Sequence, residues 1–257
     1  MLERLASWLR PAAPPVPLDP ARLGPLNERL AGLGAAERLA WAWETFGTRA
    51  AIGTSFQPAG VAILHLAKAG NLPLPAFTLD TGLLFRETID LKATLQDELD
   101  IVVESVVPDL DLPAQARLHG DRLWERDPDL CCQLRKVRPL ARRLRTLDLW
   151  ITGLRRDPAA GRTDVPVLSE ARREDGTPVW KLNPLADWTT ERVWDHLRRH
   201  RLPHNVLHDR GYRSIGCTVC TRVTPKGGDD RAGRWPGFEK TECGLHSRPA
   251  SPPPAQR

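Results

Sequence analysis

Five cysteines, spaced as Cys131-Cys132, Cys217-x-x-Cys220 and Cys243 alone, are the residues best suited to chemistry in this chain. Four thiolates can close a metal or iron–sulfur site, which leaves one over. The fifth lies in Glu242-Cys243-Gly244-Leu245-His246, a short polar segment near the C-terminus, where a thiol is expected to be exposed and reactive. Cys217-x-x-Cys220 suits zinc or an iron–sulfur centre equally. Cys131-Cys132 is more selective, because neighbouring positions on a helix point about 100° apart. One centre can take both thiols only where the backbone turns or distorts, and a cubane with separate irons tolerates that more readily than a single tetrahedral ion. Spacing alone keeps both open, with the cluster slightly ahead of zinc. The chain thus offers a cofactor site and a nucleophile.

A basic stretch follows the first pair, Gln133-Leu134-Arg135-Lys136-Val137-Arg138, and continues through Arg142, Arg143 and Arg145. Leu134, Val137, Leu140 and Leu144 give it an apolar stripe at helical spacing, so it is expected to dock on a core and bring positive charge beside the cysteines. Further cations follow Leu149–Leu154, where Arg155, Arg156 and Arg162 suit bidentate contact with phosphate or sulfate.

The elements that must position these groups read as alternating strands and helices. Short β-rich runs recur at Ala51–Phe56, Ala76–Leu79, Ile101–Val107 and Leu149–Leu154, with helical spacing over Arg29–Thr45, Gly60–Ala69 and Phe85–Leu99. This pattern predicts an α/β fold with a doubly wound, mostly parallel sheet, whose ligands bind just past the strands' carboxyl ends. Thr54–Gly60 and Leu79-Asp80-Thr81-Gly82 stand at two such ends, the first a turn opening a helix where N–H groups can hold an anion. Prolines at 11, 14, 15, 17, 20 and 25 read as an extended N-terminal arm, and Arg248–Arg257 as a proline-rich tail.

Composition sets the remaining bounds. A chain of 257 residues, 41% hydrophobic and 27% charged, can bury one substantial core. It has no apolar run of the roughly 20 residues that a membrane span needs. Met1–Arg10 is short and charged for a secretory signal, so a cytoplasmic location with reduced thiols is expected. The net charge of +5, from 31 arginines and 6 lysines, suits an anionic substrate or nucleic acid, or simply reflects an arginine-rich composition.

Taken in order, the two cysteine pairs, the terminal Glu242–His246 segment, Leu79-Asp80-Thr81-Gly82, Gly153-Leu154-Arg155-Arg156 and Arg231-x-x-Arg234-Trp235 resemble the iron–sulfur adenylyl-sulfate reductases. The likeness covers roughly residues 45 to 247. It extends to Lys181-Leu182-Asn183-Pro184-Leu185 and to His208-Asp209-Arg210-Gly211-Tyr212. The resemblance implies an adenine-nucleotide α-hydrolase-like fold with a mobile C-terminal catalytic tail, and a domain plan of an arm (1–28), a reductase domain (29–224), a catalytic segment (225–247) and a disordered tail (248–257). It also implies thioredoxin-dependent reduction of adenosine 5'-phosphosulfate (APS) to sulfite and AMP, in sulfate assimilation and cysteine biosynthesis.

By the same resemblance Cys243 is the nucleophile that becomes an S-sulfocysteine, with Lys136 and His246 as its catalytic companions. Cys131, Cys132, Cys217 and Cys220 hold one 4Fe–4S cluster per subunit, which organises the site and is not the electron donor. Ser55, Leu79, Thr81, Gly153, Arg162, Arg231 and Arg234 bind substrate. Thioredoxin or a glutaredoxin-like protein supplies the reductant, the chain forms a homo-oligomer, and neither nucleic acid nor membrane is a partner. One departure concerns the loop Ser55–Gly60, which lacks the acidic residues of many APS enzymes and is nearer that of phosphoadenylyl-sulfate (PAPS) reductases, the alternative substrate. A zinc-dependent nucleic-acid-binding protein would explain the charge and the quartet but leaves Cys243 without a task.

Overall fold

The computed structural model describes residues 19–156, 163–173, 175–240 and 242–246. Six strands form one sheet: β1 (Ala50–Gly53), β2 (Ala76–Leu79), β3 (Val103–Val106), β4 (Leu149–Ile151), β5 (Leu168–Arg172) and β6 (Pro178–Leu182). Their spatial order is β3-β2-β1-β4-β6-β5, parallel throughout except for the β5/β6 hairpin at one edge. The chain winds outward from β1 to β3, then returns to β1's other side as β4. That reversal opens a crevice beyond the carboxyl ends of β1 and β4. The α/β, mostly parallel expectation holds.

Nine helices flank the sheet among the described residues: α1 (Leu23–Ala31), α2 (Ala35–Phe46), α3 (Pro58–Ala69), α4 (Arg86–Leu99), α5 (Leu112–His119), α6 (Leu123–Arg126), α7 (Pro128–Cys132), α8 (Arg138–Leu144) and α9 (Thr190–Arg199). Strand residues alternate between two cores, as the period of two requires. Ala50, Ile52, Leu149 and Ile151 face the larger core with α1, α2, α3, α4 and α9. Ala51, Phe77, Trp150 and Val179 face the smaller core, closed by Leu140, Leu144 and Leu147. Leu245 of the C-terminal segment also packs on this second face. No helix among the described residues is long and apolar enough to cross a membrane.

Two N-terminal expectations change. Residues 11–25 read as extended; 11–18 lie outside the described residues, but a 3-10 turn covers Pro20–Arg22 and α1 begins at Leu23. Pro25 is tolerated because it lies in the first helical turn, whose N–H groups have no intrahelical partner. The single helix expected over Arg29–Thr45 is two, broken at Gly32-Leu33-Gly34, with the Gly34 N–H taken by Glu37 Oε2 at 2.6 Å. Arg38 in α2 is buried because its donors all find acceptors, at Leu30, Ala31 and Pro184 carbonyls and the Asp187 carboxylate. It ties α1 and α2 to the loop after β6.

Candidate active site

The crevice predicted by the strand order is a cavity of about 260 Å³ lined from the ends of β1, β2 and β4. At its floor the chain leaves β1 at Gly53, and Thr54 Oγ1 accepts the Phe56 N–H at 3.0 Å, turning the backbone through a positive φ of 56° at Phe56. α3 then starts at Pro58, and Gln57, Ala59 and Gly60 at its N-terminus line the cavity. Gly60 lets this turn close: a Cβ there would lie 2.5 Å from Thr54 Oγ1. Gln57 reaches across to Ile215, donating to its carbonyl and accepting its N–H, both at 3.3 Å. The anion-suited loop is thereby joined to the segment that carries the second cysteine pair.

That pair is docked on the loop after β2. Thr218 N–H donates to the Leu83 carbonyl at 2.8 Å, and Thr81 Oγ1 stands 3.3 Å from Cys217 Sγ. The first pair ends α7, and a π-helical turn, Gln133–Val137, follows directly, an irregularity often found at functional sites. The two neighbours diverge as helix geometry requires: Cys132 packs with Cys217, Cys220 and Trp235, whereas Cys131 packs with Leu123 and Leu134. Arg135 is buried with its guanidinium on the Thr81 carbonyl (2.5 Å) and Gln115 Oε1 (2.8 Å), which locks the π turn against the β2 loop.

All four thiols of the quartet are buried. Burial first, and then the neighbouring sulfurs, push Cys131 up to about 12 and Cys220 up to about 11, and burial also raises Cys132. As bare thiols Cys131, Cys132 and Cys220 would stay protonated at neutral pH. Among the described residues no three His, Cys, Asp or Glu side chains could hold a single metal ion. The donor set is nonetheless the soft, all-sulfur one that an iron–sulfur cluster takes, and Lys136 and Arg135 supply positive charge at its edge. The residues present therefore fit such a group chemically. Burial opposes the charge of Lys136, but the sulfurs of Cys217, Cys243 and Cys132 outweigh it and hold its pKa above the ordinary lysine value.

The C-terminal segment wraps back over the quartet. Trp235 is buried at a positive φ of 46°, its N–H on the Cys220 carbonyl at 3.0 Å. Three cations surround its indole, with Arg234 at 4.6 Å and Arg231 and Lys240 at 5.4 Å from the ring centre. Each such contact contributes about 0.5–2 kcal/mol, so Trp235 gathers positive charge where like charges would otherwise separate. Gly216 makes room for Arg234, whose guanidinium would lie 2.2 Å from a Cβ at that position. Arg231 pairs with Glu242 at 3.3 Å, Lys240 pairs with Asp129, and Cys243 packs half-buried against Cys132, Cys217, Cys220 and Trp235.

Ser55, Leu79, Thr81, Lys136, Gly153, Arg231, Arg234, Cys243 and His246 all line the one cavity. Arg162 lies outside the described residues. Arg155 and Arg156 are turned away from the anion role expected of them. The Arg155 guanidinium donates to the Trp188 carbonyl and Thr190 Oγ1, both at 2.9 Å, and Arg156 donates to the Val165 carbonyl at 3.1 Å. They brace the loops beyond β4 and β6. The sequence does not single out Trp150, buried beneath His246 on the cavity wall, or the link from Gln57 to Ile215. A tryptophan in the middle of a short central strand was the available signal.

Comparison with known proteins agrees with this architecture. The profile of the phosphoadenosine phosphosulfate reductase domain matches residues 49–223. A Salinibacter ruber protein called adenosine 5'-phosphosulfate reductase is 44% identical over 91% of this chain and 92% of its own length. Adenosine 5'-phosphosulfate reductase 2 of Bacillus subtilis is 41% identical over 81% of this chain and 87% of its own. Among solved structures, the phosphate complex of phosphoadenylyl-sulfate reductase from Candida auris superposes with a TM-score of 0.71 at 29% identity, covering 81% of this chain and all of that one. FMN adenylyltransferase of Candida glabrata, at 11% identity and a TM-score of 0.54 over 82% of this chain and 68% of its own, shares the fold alone. With its switch-point cavity, its two buried cysteine pairs and a family match over most of its length, this chain belongs to the phosphoadenosine phosphosulfate reductase domain family.

Proposed function

We propose that the chain reduces adenosine 5'-phosphosulfate to sulfite and AMP, with Cys243 as the working thiol. The observation that carries this reading is the meeting of Cys243, Lys136, two arginines and the N-terminus of α3 on a single cavity. A thiolate needs an electrophile, and the surrounding cations and N–H groups select an anionic one. Adenylyl-sulfate reductases at 40–44% identity over most of the chain support APS as that substrate, against 29% for the PAPS reductase.

In this reading the Cys243 thiolate attacks the sulfate sulfur. The S–O bond to the phosphate breaks, AMP departs with its electron pair, and an S-sulfocysteine remains on Cys243. A dithiol of the thioredoxin or glutaredoxin class then attacks the Cys243 sulfur. Sulfite leaves with the pair from the S–S bond, a mixed disulfide forms, and the second thiol resolves it. One dithiol is oxidised for each sulfate reduced to sulfite. Arg231 and Arg234 face the phosphosulfate, the Ser55 loop receives its phosphate, and the backbone around Leu79, Thr81 and Gly153 faces the nucleoside. Lys136 stabilises negative charge on sulfur and on the departing oxygen. Cys131, Cys132, Cys217 and Cys220 would hold a 4Fe–4S cluster, which would organise the site, while Lys136 supplies the positive charge beside the reacting anion. A reductase dependent on reduced thiols is placed in the cytoplasm.

Steady-state sulfite release by the full-length protein, with APS or PAPS and a thioredoxin system, tests the proposal. APS should lead by at least about tenfold in kcat/KM, equivalent to roughly 1.4 kcal/mol of transition-state binding, and Cys243→Ser should release no sulfite from either. Equal turnover of PAPS would reverse the substrate assignment, and an active Cys243→Ser would remove the thiol from the reaction.

A further inference from the structure

The segment bearing Cys243 has two anchors, and only one belongs to the chemistry described so far. On one side Cys243 packs with Cys132, Cys217, Cys220 and Trp235. On the other, Gly244 at a φ of +81° turns the chain, Leu245 enters the smaller core, and the His246 ring lies flat on Trp150. The two rings are 5.2 Å apart between centres with their planes only 14° apart, a stacked arrangement rather than an edge contact. Trp150 is prepared for it from below. Its β4 position pairs in register with Lys181, whose ammonium stands 5.2 Å from the indole centre. Gly53 on β1 leaves room for the ring, since a Cβ there would lie 2.4 Å from Trp150 Nε1.

We infer that Trp150 is the platform on which the C-terminal segment docks: the face of His246 on the indole, with Leu245 beside it, sets where Cys243 stands. Trp150 and His246 are then positioning residues, and His246 works through its ring face rather than through a ring nitrogen. The inference rests on reading Cys243 as the working thiol, but its geometry does not depend on which substrate is reduced. A stacked aromatic pair shifts a docking equilibrium by about two- to tenfold. Only Gly244 and Leu245 lie between Cys243 and His246, so undocking of His246 frees Cys243 from the cavity wall.

The rate at which iodoacetamide alkylates Cys243 in the full-length protein, followed by mass spectrometry of its peptide, reads docking without reading turnover. His246→Ala should raise that rate about two- to tenfold, and His246→Phe, which keeps a stacking face, should leave it near wild type. Trp150→Leu should raise it equally, and adding His246→Ala to Trp150→Leu should raise it no further. An unchanged rate in His246→Ala, or a rise in His246→Phe as large as that in His246→Ala, would overturn the inference. The His246 variants alter only the terminal segment, so their outcome stands even where Trp150→Leu folds poorly. If Cys243 were not the nucleophile, sulfite release would survive Cys243→Ser while these alkylation contrasts persisted.

Discussion

At the scale of single residues, Lys136 is the charge that lies between the cysteine pairs and Cys243, the proposed nucleophile. It borders the cavity, and the sulfurs of Cys217, Cys243 and Cys132 offset its burial. Lys136→Ala should therefore keep the iron of the purified protein while lowering kcat about a hundredfold, the scale of one lost transition-state donor. Serine at any of Cys131, Cys132, Cys217 or Cys220 should lose iron and activity together. Iron analysis beside turnover separates the two classes, and normal turnover in Lys136→Ala would make the basic run a docked surface only. The cysteines were legible because their spacing along the chain is itself the signal. Arg155 and Arg156 were not, since the direction of a guanidinium depends on which carbonyls fold near it, here those of Trp188 and Val165. Trp150 escaped for a similar reason: its ring can lie where it does only because Gly53 on a different strand lacks a side chain.

At the scale of elements, the turn between β1 and α3 is a tight constraint on the site. Gly60→Ala would place a methyl 2.5 Å from the Thr54 hydroxyl, a short side chain fixed by its bond to the Phe56 N–H. Such overpacking costs about 1–3 kcal/mol, so urea denaturation should show a lower midpoint, together with a raised KM because the helix N-terminus shifts. A midpoint within error of wild type would mean that the turn relaxes freely. β2 was read with its observed bounds, Ala76–Leu79, because a buried parallel strand leaves an uninterrupted β-rich run. β1 stops at Gly53 rather than Phe56, as the Thr54 hydroxyl diverts the chain. The β5/β6 hairpin was missed: an edge hairpin needs no apolar run, and Leu168–Arg172 carries Ser169, Glu170 and Arg172. The π turn after Cys132 has no sequence signature of its own, although the adjacent cysteines demanded some distortion there.

At the scale of the whole molecule, helices α3 and α9 meet through three imidazoles whose pH response belongs to folding rather than to catalysis. His65 Nδ1 and His196 Nε2 are 3.1 Å apart, and the rings of His65, His196 and His200 lie within 5.0 Å of one another beside Trp188. Burial first, then His65 and His200, push His196 down to about 4, and burial also lowers His65. A histidine depressed in the folded state binds protons more readily once unfolded, so its contribution is present above the usual value near 6.5 and lost as pH falls toward 4. The denaturation midpoint should fall across that window, and His196→Phe should flatten the fall relative to wild type. Parallel pH profiles would contradict it. The overall fold class was legible because βα alternation is written into the periodicity, whereas the return of Leu245 and His246 onto the sheet is a tertiary event.

The proposed reaction turns on one bond, between the sulfate sulfur and Cys243 Sγ. Incubating the full-length protein with adenosine 5'-phosphosulfate and no thiol reductant, then analysing its peptides by mass spectrometry, observes that bond directly. The account predicts a sulfonate on the Cys243 peptide, formed in step with AMP release and removed as sulfite when reduced thioredoxin is added. AMP release with Cys243 unmodified, or a sulfonate on any of the other four cysteines, would contradict it.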